Sequence, residues 1–404
     1  MKRILYITRN GLLEPLGQSQ VMAYIRGLSN YYDITLITFE KPEYWNDMEA
    51  MERAKKECSK LGIYWLPKLF QSSQNIISHI FSLFWMIWYV RRQIIQRKIS
   101  LIHARSYIPA AVALAVKKIT KVPFIFDMRA LWPEELITAG RIRRGSFIHL
   151  FIVKIEKACL AKSDGVVSLT NVAVDYLKSK YPAELNNQRI IVIPTCADLQ
   201  RFIPIPKKPK QFLIHGCIGT IISGWFKMDW LSSWINMVAS TDSSAHFKIV
   251  TRDNLDEINE ILNPLKELKG QISYTSCSTD DMPKTIQKLD VSVMFFTKGL
   301  SKLGSAPTRL AEALGCGIPV VVNDGVGDVA DIVKQNKVGI VVEGKSNKEM
   351  KSAYKNLITL FKDPNLSSRC RSTSEKLFSL EIGIKSYHNL YSSILKSKDS
   401  SCVA

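Results

Sequence analysis

The chain has 404 residues, of which 46% are hydrophobic and 23% charged, and its formal net charge at pH 7 is +19. This composition excludes a largely disordered protein, and the length favours two domains over one core. The basic excess indicates an anionic membrane or a polyanion as partner, unless it only keeps the surface soluble. Nucleic acid is not expected, because no helix-turn-helix, zinc-finger or RNA-recognition pattern accompanies the charge.

The eight cysteines are scattered, and no two of them have the C-x-x-C spacing of a metal or redox site. Met1-Lys2-Arg3 leads directly into an apolar strand, without the features of a signal peptide. These patterns predict free thiols in a reducing compartment, a cytoplasmic location and no bound metal.

The first half alternates short β-rich runs with helical stretches. Helices are predicted over 19–29, 110–119 and 147–161. Strands are predicted over 4–8, 33–39, 99–103, 124–127, 165–169 and 190–193. Strands that alternate with helices through short connections form a parallel sheet with helices on both faces.

An apolar stretch within this half, residues 76–90, is followed by Arg91 and Arg92. A helix of this length covers about 22 Å, less than the roughly 30 Å hydrocarbon layer, so it is not expected to span a membrane. It is either a buried helix or an interfacial one with Trp85 and Trp88 at the headgroup level. In the second case residues 76–98 would attach the protein peripherally to the anionic inner face of the cell membrane.

A proline-rich segment, residues 203–211, is incompatible with a helix and predicts an extended tether between domains over 1–205 and 206–373. The alternating pattern then restarts. A last helix, over 374–396, has no strand after it and is expected to cross back to the first domain. Strands of the second domain are predicted over 212–218, 246–250, 272–274, 291–296, 319–323 and 339–342.

Residues 301–328 concentrate serine, threonine, basic residues, glutamate and glycines around one turn. Ser305 is predicted to cap a helix over 308–314, with Pro307 in its first turn, a position that proline tolerates. The unbonded N–H groups and the positive dipole end of such a helix attract phosphate. Ser305 and Thr308 are therefore predicted to bind a donor phosphate.

Charged side chains flank this turn. Lys302 and Arg309 add full positive charges, which makes them candidate catalytic groups for a reaction that releases a diphosphate. Glu312, one helical turn beyond Thr308, is placed to accept hydrogen bonds from ribose hydroxyls. A plain helix-to-strand connection with a surface glutamate is the alternative, but it leaves the concentration of polar residues unexplained.

The segment that begins at Glu312, EALGCGIPVV, resembles the donor-site helix and strand of the retaining GT-B glycosyltransferases of family four, also called glycosyl transferases group one. The first half is similar to the same family at four further segments: EPLGQSQ (14–20), HARSYIP (103–109), FDMRALWPE (126–134) and VIPTCAD (192–198) followed by Arg201-Phe202. The resemblance implies two Rossmann-like, doubly wound domains that face each other across a cleft. It also implies a hexosyltransferase-like enzyme that retains configuration and moves a sugar from a nucleotide-sugar donor to a cell-surface polysaccharide or glycolipid acceptor.

The sequence departs from the family pattern at two places. The family commonly has two glutamates separated by seven residues, and the position of the first is Gly304 here. The family also has basic residues after the first strand of the second domain, whereas the loop 219–227 has only Lys227. We therefore expect Lys302 and Arg309 to carry more of the diphosphate charge.

Candidates in the first half follow its strands. Gly17 precedes a helix, and a small residue there would allow backbone N–H groups to approach a donor phosphate or an acceptor hydroxyl. His103 is expected at a strand end, where the family has a residue that faces the cleft, and is therefore a candidate catalytic residue. The alternative for His103 is a packed side chain.

The acceptor side is assigned to charged residues at the next strand ends. Arg105, Asp127 and Arg129 are costly there unless they are paired or bound to an anion, and a buried Asp127–Arg129 pair is the alternative. Glu134 is expected either to orient the acceptor or to place negative charge at a helix start.

The chemistry is displacement of a nucleoside diphosphate from a sugar anomeric carbon. Cationic side chains and helix N-termini suit the developing negative charge, and no D-x-D motif is present, so neither a metal nor a separate cofactor is expected. Two alternatives remain open: a nucleotide-sugar epimerase of the same fold, which would need cleft carboxylates to move protons, and a non-catalytic partner subunit, which only the missing glutamate favours.

Overall fold

The computed structural model describes residues 1–70, 76–207, 211–261, 268 and 270–401, except the side chains of residues 76–80, 259 and 398–401. The chain forms two compact units, Met1–Pro194 with Leu380–Ala404, and Thr195–Ser379. Each unit is an α/β fold around a parallel sheet, as the alternating pattern predicts.

Within the described residues, the first unit has a seven-stranded parallel sheet in the order β3-β2-β1-β4-β5-β6-β7. Its strands are β1 (Arg3–Thr8), β2 (Asp33–Glu40), β3 (Tyr64–Leu69), β4 (Leu101–Arg105), β5 (Phe124–Asp127), β6 (Gly165–Ser168) and β7 (Ile190–Val192). The helices between them are α1 (Pro15–Gly17), which a π-helical segment (Gln18–Met22) follows, α2 (Ala23–Leu28), α3 (Pro42–Trp45), α4 (Met48–Lys60), α5 (Ile76–Arg97), α6 (Tyr107–Thr120), α7 (Trp132–Thr138), α8 (Phe147–Lys162), α9 (Asn171–Lys180) and α10 (Pro182–Leu185).

The sequence patterns identified all these strands except β3. That strand lies at the sheet edge, is only partly buried, and contains Pro67, so its pattern lacks the continuous apolar run of the central strands. By contrast, β1 is apolar because both faces of a central parallel strand are covered. The strand order reverses between β1 and β4, and the loops that leave these two strands open a crevice where doubly wound sheets bind ligands.

The second unit repeats this architecture with six described strands in the order β10-β9-β8-β11-β12-β13, all parallel. The strands are β8 (Ile214–Ile218), β9 (His246–Val250), β10 (Ile272–Thr275), β11 (Val291–Met294), β12 (Val320–Asn323) and β13 (Gly339–Val342). The helices are α11 (Met228–Thr241), α12 (Leu255–Ile261), α13 (Met282–Gln287), α14 (Leu300–Leu303), α15 (Thr308–Gly315), α16 (Val329–Asn336), α17 (Asn347–Leu360) and α18 (Leu366–Phe378). Here the order reverses between β8 and β11.

The chain enters the second unit earlier than the expected 205/206 boundary. Leu199 and Phe202 are buried in the core of the second unit, so the segment before the proline-rich tether already belongs to that unit. Of the tether itself, residues 208–210 lie outside the described residues.

The last helix also differs from the predicted range 374–396. The structure has α18 and then α19 (Leu380–Ser401), because Ser379 is extended and forms a bridge with Ala197, whose N–H donates to the Phe378 carbonyl. Helix α19 belongs to the first unit, where it packs against α2.

Candidate functional site

The reversal point of the second sheet is formed by two loops that are hydrogen-bonded to each other. The N–H of Lys227 donates to the Phe295 carbonyl at 2.9 Å, and the N–H of Thr297 donates to the Trp225 carbonyl at 2.9 Å. These bonds hold the loop after β8 against the loop after β11. Because ligands of doubly wound sheets bind at this edge, the two loops are the primary candidate site of the second unit.

Three lysines and two tryptophans converge on these loops. The Lys227 ammonium lies 4.3 Å from the centre of the Trp230 ring, and the buried Lys302 ammonium lies 3.1 Å from that of Trp225. Lys298, which the sequence analysis missed, lies 5.9 Å from the Trp230 ring and pairs with Asp324. Its place in the loop that follows β11 was the available signal. Lysines over aromatic faces form a cationic, partly apolar surface suited to a phosphate-bearing ligand.

Helix α15 begins at Thr308, as predicted, but its cap differs. Pro307 occupies the N-cap with no side-chain cap bond, so Ser305 lies outside the helix and the prediction that it caps α15 is wrong. The cause is the extended Pro307 backbone (φ −64°, ψ 124°), which makes Pro307, and not Ser305, the residue directly before the helix. The first turn carries no acidic residue, so its N–H groups and dipole retain their attraction for an anion.

Arg309 and Glu312 contact each other on α15 as an ion pair. Glu312 is 6% exposed, and burial raises the pKa of its carboxyl, while Arg309 and Arg201 oppose that rise. Arg201 was not among the predicted site residues. Since the Glu312 carboxylate faces Arg309, its contact with ribose and the contact of Arg309 with a diphosphate stay predictions.

Gly17 in the first unit is required by the loop itself. A Cβ atom there would lie 1.9 Å from the Gly11 carbonyl oxygen, so only glycine allows this close approach of the loop backbone. Gly17 is buried at the end of α1, directly before the π-helical segment. Its small size thus serves close backbone packing, and ligand contact by its N–H group stays a prediction.

His103 lies inside β4 and is fully buried, which favours the packed alternative over a catalytic role at a strand end. Its Nε2–H donates to Asp127 at 3.2 Å, and its Nδ1 accepts from the Tyr391 hydroxyl at 2.5 Å. Burial lowers the pKa of His103, against the opposing effect of Asp127, so the ring is neutral and both nitrogens have partners.

Arg105, Asp127 and Arg129 form the charged centre of the same buried network. Asp127 lies 3.8 Å from Arg129 and accepts from the Tyr387 hydroxyl at 3.0 Å, which matches the alternative of a structural pair. Burial alone raises the pKa of Asp127, but Arg129 and His103 outweigh it, so the pKa lies below its usual value. Among the described residues, Nε of Arg105 and Oδ1 of Asp127 have no hydrogen-bond partner.

Glu134, assigned to the acceptor side, is instead the centre of a local cluster. Its carboxylate pairs with Arg144, accepts from the Tyr176 hydroxyl at 3.1 Å and lies 3.7 Å from Lys180. The side chain is 2% exposed, and these partners lower its pKa despite burial. Glu134 also lies in the first turn of α7, as the alternative of negative charge at a helix start predicts, and its contact with an acceptor stays a prediction.

Helix α5 is not a buried helix. Trp85 and Trp88 are 42% and 52% exposed, and Phe81 and Phe84 are 71% and 67% exposed. Arg91, Arg92 and Lys98 are also exposed, whereas Arg97 is held by Thr35 and Asp33. No helix in the described part of the chain is long and apolar enough to cross a membrane.

A second apolar surface, missed from the sequence, lies at the start of α8. Phe147 is 85% exposed, and Ile148, Leu150 and Phe151 are each more than half exposed. Both α5 and α8 pack against α6, so the two surfaces lie on the same face of the sheet. Arg141 and Arg143 are exposed just before α8.

Two domain families match the chain. Residues 21–201 match the model described as Glycosyltransferase Family 4, and residues 213–360 match the model described as Glycosyl transferases group 1. None of the curated protein sequences matches the chain.

Solved structures with the same architecture cover nearly the whole chain. A glycosyltransferase from Rickettsia africae is 15% identical, with 98% of this chain and 99% of that chain covered and a TM-score of 0.74. Sucrose-phosphate synthase from Thermosynechococcus elongatus is 14% identical, with 98% and 100% covered and a TM-score of 0.71. Anabaena HepE in complex with UDP-glucose is 15% identical, with 97% and 100% covered and a TM-score of 0.69. At these identities the similarity establishes the fold, which confirms the predicted GT-B fold class.

Proposed function

We propose that this chain, which carries the two domains of the family-four and group-one glycosyltransferases, moves a hexose from a nucleotide-sugar donor to a saccharide or lipid-linked acceptor with retention of configuration. The observation that carries the proposal is the group of Lys227, Lys298 and Lys302 around Trp225 and Trp230 at the reversal point of the second sheet. A diphosphate fits the positive charges of Lys227 and Lys302, beside which Lys298 is paired with Asp324, and a flat base or sugar fits the aromatic rings.

The reaction breaks the bond between the anomeric carbon and the leaving diphosphate oxygen, so negative charge grows on the diphosphate. Lys302 and Arg309, together with the first turn of α15, would offset that charge while positive character develops on the sugar ring. An acceptor hydroxyl then bonds to the anomeric carbon and loses its proton, which the leaving diphosphate can accept. These residues supply the charge stabilisation without a protein-bound metal.

Nucleoside diphosphates are expected to raise the thermal unfolding midpoint of the protein. A ligand that binds only the folded state stabilises it by about 2.7 kcal/mol at 100 times its Kd. UDP is the first nucleotide to test, because Anabaena HepE binds UDP-glucose within a similar fold. Thermal scans with UDP, GDP and ADP, each beside its nucleoside, measure the effect of the phosphates.

Equal shifts of the unfolding midpoint with UDP and uridine would contradict a site built on lysines, and no shift with any nucleotide would overturn the proposed donor.

Incubation with the donor alone distinguishes a transferase from an epimerase. A transferase leaves the configuration of the intact donor sugar unchanged, whereas an epimerase converts it.

We further propose that the protein attaches peripherally to the anionic inner face of the cell membrane through residues 76–98 and the start of α8. Exposed aromatic residues on two helices of one sheet face suit the interfacial layer. Exposed basic residues lie beside both surfaces, and each contributes about 1 kcal/mol near an anionic leaflet. They are Arg91, Arg92, Lys98, Arg141 and Arg143.

The double variant Trp85→Ser/Trp88→Ser is expected to lose several-fold in co-sedimentation with vesicles that contain phosphatidylglycerol. Removal of two aromatic side chains takes away interfacial apolar area, and the remaining electrostatic attraction is screened by salt. Phe147→Ser/Phe151→Ser should have a similar effect, whereas Leu255→Ser, at an exposed leucine of the second unit, should have none. Equal binding to vesicles of neutral phosphatidylcholine, at every salt concentration, would contradict the proposal.

A further inference from the structure

The first unit contains a cavity of about 350 Å³ at the reversal point of its sheet. The loops that leave five neighbouring strands, β1 to β5, all contribute to it. Its lining residues are Arg9, Asn10, Glu14, Lys41, Phe70, Ser106, Tyr107, Ile108 and Trp132. None of the four residues predicted for the acceptor side, Arg105, Asp127, Arg129 and Glu134, lies in this lining.

The charges that face the cavity leave one cation in excess. Glu14 pairs with Lys41 at 3.1 Å through one carboxylate oxygen and accepts the Gly11 N–H at 3.0 Å through the other. Its negative charge is therefore already balanced. The half-buried guanidinium of Arg9 lies 5.1 Å from the centre of the Phe70 ring and, among the described residues, has no hydrogen bond or ion pair.

Helix α6 adds a second source of positive potential. Its start, Ser106-Tyr107-Ile108, lines the cavity, and Ser106 makes no side-chain cap bond. Ser106 has φ 78°, a strained backbone conformation for a residue that is not glycine. The N–H groups of the first helical turn have no helix carbonyl to bind and attract an anion together with the helix dipole.

Aromatic rings form the rest of the wall. The rings of Tyr107 and Trp132 lie 5.5 Å apart, and the Phe70 ring lies under the guanidinium of Arg9. Aromatic faces pack against the C–H faces of sugar rings, whereas small inorganic ions gain nothing from them. The size of the cavity also suits a monosaccharide with a substituent better than a bare ion.

We propose that this cavity binds the acceptor through an anionic group, a phosphate or a carboxylate, carried by its saccharide. Arg9 and the first turn of α6 bind the anion, and Trp132, which packs against the buried Tyr107 ring, contacts the sugar ring. The inference rests on the proposed transferase function and narrows the acceptor to acidic saccharides.

The test is isothermal titration calorimetry of the full chain with glucose 6-phosphate, glucuronate and glucose. We expect at least one of the two anionic sugars to bind about tenfold more tightly than glucose, since a charge-assisted contact contributes that order of affinity. The comparison between the two anions separates phosphate from carboxylate recognition. Arg9→Gln should reduce this preference about tenfold, whereas Lys60→Gln, at an exposed lysine of α4, should leave it unchanged.

Thermal scans of Arg9→Gln with UDP separate this inference from the proposed function. The shift by UDP should persist in Arg9→Gln, because the proposed donor site lies in the second unit. Equal affinity for glucose and both anionic sugars, with the UDP shift intact, overturns the acidic acceptor alone. Competition between UDP and glucose 6-phosphate also overturns it, because the cavity would then bind the donor phosphates.

Discussion

Replacement of Arg309 by alanine is expected to lower kcat by about a hundredfold or more, with a smaller change in the affinity for the free nucleotide. The charge on the diphosphate grows in the transition state, so a cation that balances it contributes more there than in the ground state. The measurement is release of nucleoside diphosphate from the donor at saturating and limiting concentrations, which separates kcat from KM.

Because Arg309 is paired with Glu312, variants of Glu312 and of the nearby Lys302 separate binding from catalysis. Glu312→Gln removes the partner of Arg309 and should mostly weaken nucleotide binding, because ribose hydroxyls do not change charge during the reaction. Lys302→Ala should have an effect between those of Arg309→Ala and Glu312→Gln. Lys348→Ala, at an exposed lysine of α17, is the control for a simple loss of charge. Unchanged turnover and binding in Arg309→Ala would contradict this assignment. Lys227 and Arg252, an exposed arginine just after β9, would then be the candidates for binding the diphosphate.

Asp127→Asn is expected to destabilise the first unit by about 3–5 kcal/mol, the usual cost of removing one partner from a buried ion pair. Asp127 supplies the carboxylate beside Arg105, Arg129 and His103, and asparagine leaves the two buried guanidinium groups without a countercharge. Urea unfolding at pH 7 measures the loss. Asp175→Asn, at an exposed aspartate of α9, is the matched control.

The pH dependence of this difference has a definite sign. The folded-state pKa of Asp127 is depressed, so its ionised form adds stability above the unfolded value of about 3.9 and loses it as pH falls through the folded value. The stability difference between the wild type and Asp127→Asn should therefore shrink in acid. Tyr387→Phe removes only one hydrogen bond to Asp127 and should cost about 1.5–3 kcal/mol. If Asp127→Asn had the same urea unfolding midpoint as the wild type at pH 7, the two buried arginines would not need this carboxylate as a countercharge.

Local sequence patterns determined the fold class and the start of helix α15. The central strands are continuous apolar runs because both faces of a parallel sheet are covered, and that pattern is visible in any short window of sequence. The start of α15 at Thr308 was also visible in the sequence, since helix starts depend on neighbours within a few residues. Whether the aromatic residues of α5 are buried or exposed was left open by the sequence and decided by the structure. Edge strand β3 escaped detection because it is only partly buried and so lacks a continuous apolar run.

The roles of polar residues in the first unit were decided only by tertiary structure. His103 and Asp127 become buried because α19, some 260 to 288 residues later in the chain, brings Tyr387 and Tyr391 onto them. Glu134 is enclosed by Tyr176 and Lys180, which no local pattern connects to it. The same holds for the cavity at Arg9, which five separate loops build. The sequence alone does not distinguish a charged side chain that faces solvent from one that faces a ligand or a remote partner. The reason is that its burial depends on which distant segment of the chain packs over it.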